Sequence, residues 1–184
     1  MDKKEIQQRV LQNGKPLSLD KFEWDEKTNT FSSDEDNLIL DFKEINNCIF
    51  KTGSYCTIKA GNDCTFRAGF GCIFKTGNDC TFRTGSYCTF DTESYCTFDT
   101  ESYCVFSTGS GCTFDTESYC VFSTGCDCIF NTSFNCTFDT YHFCTFRTGS
   151  KCVVVRRDTY EVIKLEGDKK IRLNGDNIKG YKDE

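Results

Sequence analysis

Fourteen cysteines recur every eight residues without a slip, from Cys48, Cys56 and Cys64 to Cys144 and Cys152, and that spacing declares a repeat protein. The consensus octad is C-[TIV]-F-x-T-G-x-x, and its third position is Phe in twelve octads, with Ile58 and Val154 as the exceptions. Positions one, three and five are Cys, Phe and Thr, while position two is β-branched and position four is charged or polar. A period of two with these residue types predicts a strand of about five residues, with positions one, three and five inward and position four toward water. Positions six to eight then turn the chain. Gly is commonest at six, yet Glu93, Glu101 and Glu117 also stand there, so the turn does not demand positive φ at that residue.

One octad cannot close around a Phe, so each coil must contain at least two. Residues 96–111 and 112–127 share fourteen of sixteen positions, and an offset of sixteen also superposes Lys59 on Lys75, Arg67 on Arg83 and Ser107 on Ser123. The sequence therefore predicts an all-β fold, a parallel two-sided β-solenoid with sixteen residues per coil, about seven coils and a length of roughly 33 Å. A three-sided coil of twenty-four residues is the alternative. An antiparallel meander is disfavoured, because identical sequences pair best with themselves in parallel register. The expected core is a ladder of Cys48, Cys64, Cys80, Cys96, Cys112 and Cys128 beside a stack of Phe50, Phe66, Phe82, Phe98, Phe114 and Phe130. Tyr87, Tyr103 and Tyr119 are expected to form a second, outer ladder at one turn.

Stacked strands leave open ends that template further pairing, so the flanks are expected to be caps: residues 1–47 before the solenoid of residues 48–152, and residues 153–184 after it. Ile6, Val10 and Leu11 at helical spacing predict an amphipathic helix over residues 3–13, ended by Asn13-Gly14. Residues 22–24 and 30–32 predict a hairpin, and residues 38–42 a strand leading into the first coil. At the far end, residues 153–155 continue the last strand, and residues 160–165 and 170–173 predict a hairpin.

The remaining composition narrows the function classes. No apolar run approaches the ~20 residues that cross a bilayer, and no signal core follows Met1. The expectation is a protein without membrane association, in the cytoplasm, or in the virion or host cytosol if viral. Fifteen cysteines at strict spacing, without an export signal, read as reduced, buried thiols rather than a secreted disulfide framework. Two alternatives remain for them: disulfides between neighbouring rungs, and zinc or copper(I) shared along the ladder. Cys126 lies out of register in a turn and is the candidate reactive thiol. His142 is the one histidine, and Cys144 beside it is one copy of a core residue, so a Cys-His nucleophile is not expected. No phosphate-binding glycine loop occurs, and neither a catalytic activity nor a cofactor is expected.

Charge is uneven along the axis. Lys51, Lys59, Arg67, Lys75 and Arg83 make the early octads basic, whereas residues 88–143 hold eight acidic residues, among them Asp91, Asp99, Asp115 and Asp139, and no Lys or Arg. The net charge of −6 argues against nucleic acid as a partner. The basic row, the acidic row and the Tyr ladder are the candidate contacts for a protein partner or for self-association, including a homodimer. Position two carries Thr57, Thr65, Thr81, Thr89, Thr97, Thr113, Thr137 and Thr145, a rank of the kind that binds ice. Ile49, Ile73, Val105, Val121 and Ile129 interrupt it, and β-propensity alone selects such residues. The reading is a non-enzymatic rigid scaffold or protein-binding protein, with a metal-binding cysteine ladder and an ice-binding face as alternatives.

The C-[TIV]-F-x-T segment resembles the pentapeptide-repeat proteins, whose small inward residue stands two before a central Leu or Phe. The period differs, so that family's four-sided coil is not implied. The full octad array with short flanks, ending in Val153-Val154-Val155-Arg156-Arg157-Asp158, resembles the uncharacterised octapeptide-repeat β-solenoid proteins encoded by viruses and phages. That resemblance implies a structural or host-interaction role and no known activity.

Overall fold

A short helix, α1 (Lys3–Gln7), precedes strands β1 (Val10–Gln12), β2 (Lys15–Pro16), β3 (Glu23–Asp25), β4 (Thr30–Ser32) and β5 (Leu38–Phe42). The octads then supply β6 (Ile49–Thr52), β7 (Thr57–Ala60), β8 (Thr65–Ala68), β9 (Ile73–Thr76), β10 (Thr81–Thr84), β11 (Thr89–Thr92) and β12 (Thr97–Thr100). They continue through β13 (Val105–Ser107), β14 (Thr113–Thr116), β15 (Val121–Ser123), β16 (Ile129–Thr132), β17 (Thr137–Thr140) and β18 (Thr145–Thr148). The last strands are β19 (Cys152–Arg156), β20 (Glu161–Leu165), β21 (Lys170–Leu173) and β22 (Tyr181–Asp183). This computed structural model describes residues 1–167 and 169–184.

Alternate octads fall on opposite sides of the coil. Sheet I runs β2-β1-β5-β7-β9-β11-β13-β15-β17-β19-β20, and sheet II runs β22-β21-β18-β16-β14-β12-β10-β8-β6-β4-β3. Neighbouring repeat strands are parallel and in register at sixteen residues, so Phe82 lies between Phe66 and Phe98, and Phe90 between Phe74 and Phe106. The two-sided coil is thereby established, in about eight coils rather than seven. The additional coil precedes the first cysteine: β4 and β5 pair in parallel with β6 and β7, setting Phe31 beside Phe50 and Leu40 beside Ile58.

The core follows the alternation. All fourteen octad cysteines and their third-position Phe, Ile or Val are at most 1% exposed. Within a sheet the Phe rings stack 4.7–5.1 Å apart and 3–9° from parallel. Across the sheets they meet edge to face at 4.9–5.5 Å and 68–77°, a herringbone that uses both favourable ring geometries at once. Cysteine does more than fill space. Cys80 Sγ donates toward Asn78 O at 3.4 Å and Gly61 O at 3.5 Å, and Cys96 repeats the pattern with Ser94 O and Gly77 O. A thiol at this position therefore gives weak hydrogen bonds to turn carbonyls that Ala or Val would leave without them.

Fifth-position threonines are buried too, but Thr100 and Thr132 bury their hydroxyls without a hydrogen-bond partner. An orphaned buried hydroxyl costs about 1–3 kcal/mol, and valine keeps the shape while removing the hydroxyl. Thr100→Val and Thr132→Val are each expected to raise the guanidinium midpoint, and a fall in that midpoint would show that the hydroxyl has a partner.

The turns divide their constraints between two positions. The residue before every octad cysteine has positive φ, between 54° and 68°, whether it is Asn47, Asp63, Gly71, Tyr87, Phe143 or Lys151. From Asn47 to Asn135 its N–H donates to the next coil, as from Tyr87 to Ser102 O at 3.1 Å and from Asp63 to Asn78 O at 3.0 Å. Glycine at position six answers a different need, close approach: a Cβ on Gly61 or Gly77 would collide with the side-chain oxygen of Asn46 or Asn62. Those asparagines form their own ladder, Asn46 accepting from Asn62 N at 2.8 Å and Asn62 from Asn78 N at 2.9 Å. Where Glu101 and Glu117 replace glycine, Ser86 and Ser102 Oγ of the preceding coil donate to them at 2.8 Å.

Each end needs two covers, one per sheet, and that requirement corrects both flank expectations. The helix ends at Gln7, held by a capping box of Asp2 and Glu5, and Val10–Gln12 is strand instead. Asn13 (φ 52°) and Gly14 (φ 75°) form the tight turn of the β1-β2 hairpin, and β1 lies antiparallel on β5. The β3-β4 hairpin forms as expected, β3 closing sheet II. At the C-terminus, β20 and β21 do not pair with each other: β20 closes sheet I on β19, and β21 closes sheet II on β18. The outermost strand β22, on β21, had no signal in the hydrophobic pattern.

Candidate functional site

Because alternate octads part to opposite faces, the basic row divides. Lys51, Arg67 and Arg83 form one column on sheet II, while Lys59 and Lys75 stand on sheet I. The acidic residues divide in the same way, Asp99 and Asp115 on sheet II and Asp91 on sheet I. At each change of sign a bridge joins adjacent rungs: Arg83 Nε to Asp99 at 2.8 Å and Lys75 Nζ to Asp91 at 3.0 Å. All four side chains are more than half exposed, so these bridges contribute little to stability.

Position two shows the same division. Thr65, Thr81, Thr97 and Thr113 form an unbroken column on sheet II, ended by Ile49 and Ile129. Sheet I interleaves Thr57 and Thr89 with Ile73 and then sets Val105 beside Val121. The column beside the sheet II threonines is charged throughout its centre, unlike a face of threonine alone.

The edge that joins sheet II strands to sheet I strands carries the tyrosines. Tyr87, Tyr103 and Tyr119 stack at 4.9 and 4.8 Å within 3° of parallel. Two further groups, missed in the sequence, extend the ladder: Phe134 meets Tyr119 at 5.4 Å and 72°, and Tyr55 meets Phe70 at 4.8 Å and 73°. The whole series lies 43–61% exposed, so one edge of the solenoid is an aromatic strip over most of its length. Phe70 and Phe134 sit one position before the tyrosine place, which is why an eight-residue comparison passes over them.

All fifteen cysteines are free. Between rungs the N–H of Cys56, Cys128 and Cys136 points at Sγ of Cys72, Cys144 and Cys152, each at 3.4 Å. The Cys152 thiol is pushed above the ordinary cysteine range by its contact with the Cys136 thiol and by burial. The line of thiols does not converge four ligands on one point, as zinc prefers. Cys126 is half-buried on the opposite edge, its Sγ 3.5 Å from Ser110 Oγ.

Cys144 is buried, its Sγ 3.0 Å from Thr140 Oγ1. His142 Nδ1 lies 3.5 Å from Asp176 and 3.8 Å from Asp158, a corner where three ligand atoms come within 4.8 Å. Asp158 is already engaged there. Arg156 grips its carboxylate and the Asn177 N–H donates to it at 3.2 Å; burial pushes its pKa up, and these partners more than offset that, so it lies below the ordinary value. A guanidinium in the ligand shell opposes a cation, and this corner fits a cap better than a metal centre. A shallow groove of about 590 Å³ lies beside the asparagine ladder, lined by Lys43, Lys59, Lys75 and Glu93.

Among the described residues no helix is long and apolar enough to cross a membrane. No family model matches the chain, and no curated protein or solved structure matches it either.

Proposed function

We propose that this chain is a non-enzymatic, rigid repeat scaffold that binds a protein partner, with the aromatic edge as the contact. The edge itself carries this reading. Its tyrosines occupy positions of positive φ, which cost a bulky side chain roughly 1 kcal/mol or more relative to Gly or Asn. The opposite edge meets the same demand mostly with Asn47, Asp63, Asp79, Gly111 and Asp127. Tyrosine is thus retained where the turn does not favour it and where its ring stays in water, which points to a use outside the fold.

Glu101 and Glu117 stand on the same edge beside Tyr103 and Tyr119. Stacked phenol faces bordered by carboxylates suit a partner segment bearing Arg or Lys, through cation-π and ionic contacts. The resemblance to virus- and phage-encoded octapeptide-repeat proteins supports a structural or host-interaction role in the cytosol or the virion. The thiol contacts to turn carbonyls support a structural ladder over a metal store.

A Tyr87→Asn, Tyr103→Asn, Tyr119→Asn variant tests the edge. Its melting temperature is expected to equal or exceed that of the parent, since Asn tolerates positive φ. Proteins cross-linked in cells to the parent chain are expected to be lost; an unchanged set of cross-linked partners would remove the edge from consideration.

A further inference from the structure

We propose that sheet II is a homodimer interface, in which two copies pack face to face with their solenoid axes antiparallel, about a two-fold axis running along the strands between β10 and β12. Such an axis returns each octad position to its own column and reverses the order of the strands. It therefore sets β10 on β12 of the second copy, β8 on β14, β6 on β16 and β4 on β18.

Two pairs of the fourth-position column meet with opposite signs under this operation, and a third sets a cation on a neutral amide. Arg83 faces Asp99 of the second copy, Arg67 faces Asp115, and Lys51 faces Asn131. The terminal strands extend the match. Glu23 and Asp25 on β3 share columns with Ser32 and Thr30, and Lys170 and Arg172 on β21 share columns with Arg147 and Thr145. Glu23 thus faces Lys170 of the second copy and Asp25 faces Arg172, again with opposite signs. Lys170 also bridges Glu184 of its own chain at 2.9 Å, and Lys51 against Asn131 and Ser32 against Arg147 are the two pairs with one charge and no counter-charge. No position sets like charges directly opposite.

The second-position column is a palindrome about the same axis: Ile49, Thr65 and Thr81 are mirrored by Thr97, Thr113 and Ile129, and Thr30 by Thr145. Part of that symmetry follows from the β-branched consensus; the charges do not. Sheet I lacks the pattern. There the same operation sets Lys75 on Ser123, Asp91 on Ser107 and Asp41 on Val155, and gives one match, Lys59 with Asp139, whose carboxylate Arg157 holds at 2.6 Å just as Arg83 holds Asp99 at 2.8 Å within one chain on sheet II.

Shape permits the contact. Core rings of successive sheet II strands stay within 3–9° of parallel, so little twist accumulates along the face. Ten strands of about four residues project to roughly 600 Å² per copy. That is below the ~800 Å² of a standard interface, so the dimer is reversible and salt-sensitive. Pairing also leaves the two aromatic edges on the same side of the assembly, where they form one doubled strip. The inference goes beyond the scaffold reading, and its test leaves the aromatic edge untouched.

The test uses two full-length chains, one acidic at all four central fourth positions (Arg67→Glu with Arg83→Glu) and one basic at all four (Asp99→Lys with Asp115→Lys), followed by sedimentation velocity. Parent protein is expected to be dimeric at low salt and to dissociate as salt rises. Each variant alone is expected to be monomeric, and their mixture to form a one-to-one dimer. Small-angle scattering of the parent supplies a readout independent of variant folding: the side-by-side dimer keeps the length of one solenoid. A monomeric parent at low salt, an end-to-end length, or a dimer that survives both reversals but is lost in Val105→Lys with Val121→Lys on sheet I would each overturn the proposal.

Discussion

Phe106→Ala is expected to cost about 3–5 kcal/mol of folding stability, as in other deletions of a buried phenyl ring from a packed core. Phe106 is 1% exposed and touches four rings: Phe90 and Phe122 stacked at 4.8 Å, and Phe98 and Phe114 edge-on at 5.2 Å. The parallel strands of neighbouring coils fix the spacing, so the walls cannot collapse into the space left behind without breaking register. Phe146, at the end of the stack, touches Phe130 and Phe138 and, among the described residues, no further ring, and beyond it lies Ile171 of the cap. Phe146→Ala is accordingly expected to cost less than Phe106→Ala. Guanidinium denaturation of both reads the difference. A cost below ~1 kcal/mol at Phe106 would mean that the coils relax independently of one another, against the cooperative stack described above.

The same rigidity explains how much of the fold was legible. Inward Cys, Phe and Thr announce themselves because each must meet a copy of itself, so buried positions repeat without drift. The sixteen-residue coil followed from the near-identity of residues 96–111 and 112–127, and the structure pairs those residues as neighbours on both sheets. The turn constraint was hidden, since residues as different as Tyr55, Asp79 and Asn135 all adopt positive φ before a cysteine. There the hydrogen bonds of the stack override residue preference, and only the Gly, Asn and Asp members gave a signal. Outside the repeat nothing forces self-matching. Ile6 and Val10 fit a helical stripe, yet Asn13-Gly14 belonged to a hairpin, and the need to cover two sheet edges sent β20 and β21 to different sheets. The surface was legible in composition but not in arrangement: the basic and acidic rows became meaningful patterns only once alternate octads were assigned to opposite faces.

Arg156 is the residue whose role the sequence concealed most fully, because it reads as the basic end of Val153-Val154-Val155. In the structure it is 0% exposed and pairs in register with Thr140, so its side chain plugs the open end of the core. Nη1 donates to Ile178 O at 2.7 Å, Nη2 donates to Gly175 O at 3.2 Å, and the Nε/Nη2 edge of the guanidinium grips Asp158, whose side chain is 5% exposed. One cation thus ties the C-terminal loop across the last coil. Arg156→Ala is expected to destabilise the protein by about 3–5 kcal/mol, because it opens a cavity and leaves the Asp158 carboxylate buried without its partner. The pH dependence separates these causes. In the parent, Asp158 has its pKa held below the ordinary 3.8, so its contribution is present above that value and is lost as pH falls through the lower folded value. Without Arg156, burial acts unopposed by that cation and raises the carboxyl, so the variant's deficit is expected to shrink toward acid, where Asp158 is protonated. Adding Asp158→Asn to Arg156→Ala is expected to recover part of the loss at neutral pH. Denaturation curves of the parent and both variants across the acid range decide the matter: a deficit independent of pH, with no recovery in the double variant, would assign the cost of losing Arg156 to packing alone.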